Sequence, residues 1–337
     1  MKKTYFLLAA STMMFAACAQ TDLVNEVVTE EAPQAIGFET FSNKATRAVT
    51  AATALDSYHE AFGVWAYKTT KTDGAVMDNY KVAYINSDWN YKDQENQSIK
   101  YWDKNADYTF YAYAPYAASG VTIENGVISI AQGTYAANEN LQSKETVNGK
   151  SVLSTELNGN KFNGVGASST TVSTDWMIAE EVPVTAGNYD KVNEVFKHTM
   201  SKVIVYVQSN IAGVEITDVN ISGVYGTGSY KSTTGWDVTD VNTTEIEGLE
   251  GTLDVADEEY CIMEYLLIPG GTPKFNITYT ISGDEYTVTD AAITNITTIE
   301  ANTSYTVYVN VGLNPIEFTA TASDFTNKVE NGAVPIE

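Results

Sequence analysis

Short segments of period-2 alternation recur along the chain from Phe62 to Val311, with no convincing amphipathic helix among them. Alternation of this kind places successive side chains on opposite faces of a strand, so it restricts the chain to an all-β fold. Phe62-Gly63-Val64-Trp65-Ala66-Tyr67 puts Phe62, Val64 and Ala66 on one face, with Trp65 and Tyr67 on the other. A Lys/Thr/Asp/Gly cluster then breaks the pattern, as a turn after a strand would. Tyr108-Thr109-Phe110-Tyr111-Ala112-Tyr113-Ala114-Pro115-Tyr116 is the clearest strand in the chain, and Pro115 stops it. Phe275 to Ile281, Glu285 to Thr289 and Tyr305 to Val311 alternate as strands with one wet face do. A chain of 337 residues with a 44% hydrophobic fraction can fill two cores, and the spacing predicts two β-sandwich domains in tandem.

Stability has to come from those cores. Lys2 and Lys3 precede an apolar run from Tyr5 to Ala10, continued by Met13, Met14 and Phe15 to Ala16-Ala17-Cys18. This is the order of a secretion signal, assigned to residues 1–17. Ala16-Ala17-Cys18 resembles a bacterial lipobox, which makes Cys18 the lipidated first residue after signal removal. Phe15 replaces the Leu usual at its position, and the alternative is an ordinary signal cut near Ala17. Beyond Cys18 only Cys261 remains, so the exported chain has no intramolecular disulfide. Residues 19–35 are polar and acidic and read as a tether. The charge balance, 19 basic against 43 acidic residues, is dispersed and opposes nucleic-acid or anionic-membrane partners.

Motifs for catalysis are missing. No Gly-x-Ser-x-Gly elbow, His-Glu-x-x-His helix, Walker loop or paired-cysteine motif occurs. His59 and His198 are isolated and do not form a zinc set; a structural hydrogen bond is expected of His198. Residues 131–175 read as long surface loops, and no cofactor is expected.

The stretch Ile36-Gly37-Phe38-Glu39-Thr40-Phe41-Ser42-Asn43-Lys44-Ala45-Thr46-Arg47-Ala48 begins as a strand and ends in a basic site. Arg47 is the only arginine in the chain, hence the only site for an Arg-specific protease, which would cut between Arg47 and Ala48. Ile36, Phe38 and Thr40 share one face. Far along, Ile316, Phe318, Ala320 and Ala322 share a face with the same Ile-x-Phe spacing. Such segments suit one groove, because its pockets take alternate side chains. The simpler reading, that Ile316 to Ala322 is the last strand of its own domain, stands beside it.

Phe62 to Tyr67, Trp89-Asn90-Tyr91, Tyr101-Trp102 and Tyr108 to Pro115 resemble, in order and rough spacing, the aromatic landmarks of fimbrillins, the subunits of type V pili. Phe196-x-His198-x-x-Ser201-Lys202-Val203 resembles the run that opens the second fimbrillin domain. The resemblance implies two transthyretin-like sandwiches, 48–195 and 196–313, behind a lipidated propeptide, 18–47, and ahead of a donor-strand segment, 314–337. It further implies cleavage after Arg47, departure of the strand carrying Ile36 and Phe38, and its replacement by another subunit's C-terminal segment. Ile316, Phe318, Val334 and Ile336 are the pocket fillers expected in that segment. The implied partners are other copies of the chain, related pilus subunits and a host or bacterial surface receptor, with the outer membrane reached through the lipid before processing. A monomeric surface glycan-binding lipoprotein using exposed Trp and Tyr is the alternative.

Overall fold

The computed structural model describes residues 32–42, 61–69, 74–86, 88–92, 94, 96–134, 136–137, 144–147, 150–153, 175–238, 244–254, 260–312 and 317–324. Among them there is no α-helix. In chain order the strands of the first half are β1 (Phe38–Ser42), β2 (Ala61–Lys68), β3 (Ala75–Ile85), β4 (Asp88–Asn90), β5 (Tyr108–Ala114), β6 (Val121–Glu124), β7 (Val127–Thr134), β8 (Ala136–Ala137), β9 (Lys144–Val147), β10 (Lys150–Leu153), β11 (Met177–Ala179), β12 (Val182–Val184) and β13 (Val192–His198). Those of the second half are β14 (Ser201–Ser209), β15 (Val214–Val224), β16 (Thr227–Lys231), β17 (Gly235–Val238), β18 (Thr244–Asp254), β19 (Tyr260–Leu267), β20 (Lys274–Ile281), β21 (Asp284–Ala292), β22 (Thr303–Val311) and β23 (Glu317–Asp324).

An eight-stranded sheet runs β1-β13-β11-β5-β2-β3-β4, with β12 also on β5. It wraps a core of Phe62, Val64, Ala66, Trp89, Tyr91, Trp102, Phe110 and Phe196, joined by Ile36 and Phe38. The faces of β2 and β5 divide as the alternation predicts. Phe62, Val64 and Ala66 lie in this core, whereas Trp65 packs with Tyr113, Val121, Ile128 and Ile130 on the other side. Both faces of the sheet are therefore covered here, which is why residues 61–66 are buried throughout.

The second half is a two-layer sandwich. The sheet β23-β22-β14-β19-β8 faces the sheet β18-β15-β20-β21. Val203, Val205, Val207, Val307 and Val309 from the first meet Ile216, Val219, Ile221, Phe275 and Ile277 from the second. The chain leaves the first sheet at His198 and enters the second at Ser201. A further sheet, β17-β16-β7-β6, joins strands from both halves, with Tyr230 of β16 opposite Ile130 of β7. β7 to β10 thus place strands within the stretch read from sequence as loop.

Gly63 shows how closely the first half is packed. A methyl group there would sit 2.1 Å from Cε1 of Tyr113, whose ring stacks on Trp65 at 5.2 Å. The ring has nowhere to retreat, since its hydroxyl donates to the Ala117 carbonyl at 2.7 Å. Gly63→Ala is expected to cost about 1–3 kcal/mol, read as a lower denaturant midpoint at unchanged slope.

Candidate functional site

The first described segment of the chain is built into the eight-stranded sheet as its edge. Gln34 is the first residue of the compact unit to which all later described residues belong. The Trp102 amide donates to the Gln34 carbonyl at 3.0 Å, and the Ile36 amide donates to the Lys100 carbonyl at 2.9 Å. The Tyr91 hydroxyl lies 3.1 Å from the Ile36 carbonyl and accepts from the Lys100 amide at 3.2 Å. From Gly37 onward the bonding changes sides. The Val192 amide donates to the Gly37 carbonyl at 2.8 Å, and β1 then runs parallel to β13 from Phe38 opposite Val192 to Ser42 opposite Phe196.

Side chains follow the alternation seen in the sequence. Ile36, Phe38 and Thr40 are 1%, 0% and 0% exposed, and Gly37 and Glu39 lie between them on the outer, half-buried face. Phe38 meets the rings of Phe62, Tyr91 and Phe110 edge-on, with centroids 5.7, 6.0 and 6.0 Å away. Burial of Ile36 and Phe38 contributes roughly 1.5–3 kcal/mol each, before the aromatic geometry is counted. By contrast, the Asp88–Lys191 ion pair at the mouth of the lane joins two exposed side chains and adds little.

One residue of the lane went unnoticed in the sequence. Glu194, on β13, is opposite Thr40, and its carboxyl group is fully buried. The signal was available, because Val192, Glu194, Phe196 and His198 alternate onto one face with Glu194 between Val and Phe. Burial pushes its carboxyl up to about 8, with no neighbouring charge contributing. A carboxyl whose pKa is higher folded than unfolded holds its proton better in the fold. Its contribution to stability is therefore complete below about pH 4.5 and is lost as pH rises through about 8. Across that window stability is expected to fall by up to about 1.4 kcal/mol per pH unit, and Glu194→Gln to flatten the slope in denaturation series from pH 5 to 8.5.

Cys18, Arg47, Ala48, Ile316, Val334 and Ile336 lie outside the described residues. Phe318 lies in β23, opposite Val309 of β22, as the simpler reading of that segment has it. Within one chain β23 edges the five-stranded sheet and β1 the eight-stranded one, so the two Ile-x-Phe segments occupy different sheets. His198 is buried with its Nδ1 2.9 Å from Asp175, at the crossing between the halves. The tryptophans weighed as a glycan platform are core residues in the first half: Trp65, Trp89 and Trp102 are all buried. Among the described residues no group of three or more His, Cys, Asp or Glu side chains is placed to hold a metal ion.

A family model described as fimbrillin-like matches residues 46–324. The fold is similar to that of a fimbrial protein from Bacteroides vulgatus, at 15% identity and a TM-score of 0.59 over 87% of this chain and 100% of that one. A candidate cell adhesion protein from Bacteroides ovatus matches at 16% identity and a TM-score of 0.58, over 89% of this chain and 100% of that one. Another candidate cell adhesion protein, from Bacteroides uniformis, matches at 19% identity and a TM-score of 0.52, over 87% and 99% of the two chains. No curated protein matches the chain.

Proposed function

The chain belongs to the fimbrillin-like family, and on that premise we propose that it is a structural subunit of a type V fimbria that polymerises by protease-triggered strand exchange and supports adhesion. It is exported as a lipoprotein through Cys18 to the outer membrane and cut between Arg47 and Ala48. The segment bearing Ile36 and Phe38 then leaves, and the C-terminal segment of another copy, drawn from residues 314–337, takes its lane. The subunit acts by assembly with its own copies and related subunits rather than by catalysis, and its two halves serve as the tandem sandwich domains of the shaft.

The observation that carries this reading is that an integral strand is followed, a few residues on, by the only arginine in the chain. β1 fills the first core with Ile36 and Phe38, yet it ends at Ser42, just ahead of the only arginine in the chain. A strand so placed leaves an unpaired β13 edge and an open apolar lane when it departs, and both favour a replacement strand. The family match begins at residue 46, so β1 lies outside the matched span while the body that it plugs lies inside.

Purified precursor treated with an Arg-specific protease tests the proposal. Loss of residues up to Arg47 with the appearance of regular polymers supports it. A cut chain that stays monomeric at every concentration contradicts it, and binding of that monomer to a glycan array would favour the surface-lectin alternative.

A further inference from the structure

We propose that Glu194 selects which strand occupies the β1 lane, disfavouring the resident strand and rewarding one that brings a hydrogen-bond donor two residues beyond its aromatic anchor. This inference rests on the reading of β1 as replaceable. Elsewhere the resident strand is well held: its backbone is bonded to residues 100–102 and 192, and Ile36 and Phe38 are buried. The defect lies at the pair Thr40 and Glu194. Both are 0% exposed, and neither the Thr40 hydroxyl nor either Glu194 carboxyl oxygen has a hydrogen-bond partner among the described residues. Unmatched buried polar groups oppose the state that buries them. The other ionisable group on the inward face of β13, His198, is held by Asp175 and does not serve Glu194.

The chemistry required of the incoming strand follows from the lane. It needs a large ring for the site between Phe62, Tyr91 and Phe110, and two residues later a side chain that donates to the Glu194 carboxyl group. Threonine reaches less far than asparagine or lysine, so the resident strand meets the first demand and misses the second. Beyond β22 this chain has two aromatic residues, Phe318 and Phe325. Phe318 is followed two residues later by Ala320, within β23; Phe325 is followed by Asn327. The occupant is thus the segment around Phe325 of a second copy, with Phe325 in the place of Phe38 and Asn327 opposite Glu194.

The test uses the exported chain cut after Arg47 and fluorescent peptides with the sequence of residues 34–42. Four are compared by anisotropy: the native peptide and Thr40→Asn, Thr40→Val and Thr40→Asp versions. The Asn peptide is expected to bind about tenfold or more tightly than the Val peptide, and the Asp peptide most weakly. On a Glu194→Gln chain the order should collapse. In assembly, Asn327→Asp should slow polymer growth about tenfold, and Glu194→Gln should restore it. Equal binding of the Asn and Val peptides to the wild-type chain, or the same order on both chains, overturns the role of Glu194. Failure of the native peptide to exchange at all overturns the replaceable-strand reading beneath it.

Discussion

Phe38→Ala is expected to lower the thermal midpoint of the uncut chain by on the order of 10 °C and to speed departure of β1 once the chain is cut. The ring is fully buried and meets three others edge-on, so its removal leaves a cavity that the surrounding rings fill poorly. Phenylalanine-to-alanine changes at such sites cost about 3–5 kcal/mol, and 1 kcal/mol moves the midpoint of a chain this size by roughly 2–4 °C. The direction of the second effect separates a plug from an ordinary first strand. If β1 only stabilises the fold, the variant assembles less well because it is less folded. If β1 is a placeholder, the cut variant assembles faster than wild type, since the incoming strand supplies its own ring. Calorimetry on the uncut variant and light scattering after cutting give the two readings.

Deleting residues 325–337 is expected to abolish polymerisation while leaving a folded, cleavable monomer. β23 is already bonded to β22 along its length, from Glu317 opposite Asn310 to Asp324 opposite Thr303. Stopping the chain after Asp324 keeps that ladder, so the thermal midpoint is expected to move by no more than about 2 °C. Stopping it before residue 314 also strips β23 and leaves β22 as a raw edge, adding a loss of stability that has nothing to do with assembly. Comparing the two truncations by midpoint and by sedimentation distinguishes loss of a donor from loss of fold. Polymers of normal length from the shorter deletion would show that the donor lies elsewhere.

Much of this architecture could be read from local alternation. The division of Phe62, Val64 and Ala66 from Trp65, and the shared face of Ile36, Phe38 and Thr40, follow directly from period 2. What alternation does not carry is the identity of a strand's neighbour. β1 pairs with β13, more than a hundred residues away and in parallel, and nothing in either segment specifies the other. The same holds for β7, whose partner β16 comes from the second half. Residues 131–175 looked like loop because their Gly, Asn, Ser and Thr content masks short strands held by pairing rather than by their own apolar runs. Glu194 escaped because a charged side chain reads as an outward residue unless its position in the alternation is trusted over its polarity. For the C-terminal segment, period 2 leaves two roles open, an edge strand of its own sheet and a strand lent to a neighbour. For residues 317–324 the register on β22 shows the first of these within one chain.

Under the proposed strand exchange β1 must leave before the subunit can assemble, and locking it in place tests that most directly. Glu39 and Asn193 face each other in register across β1 and β13, on the outer side of the sheet. Neighbouring strands lie about 4.8 Å apart, within the Cα separation that a disulfide spans. Glu39→Cys combined with Asn193→Cys should therefore cross-link the plug without disturbing the core. Cut after Arg47 and kept oxidised, this variant is expected to remain monomeric; on reduction it should polymerise at the wild-type rate. Polymers of equal length and rate in the oxidised and reduced states would contradict the account.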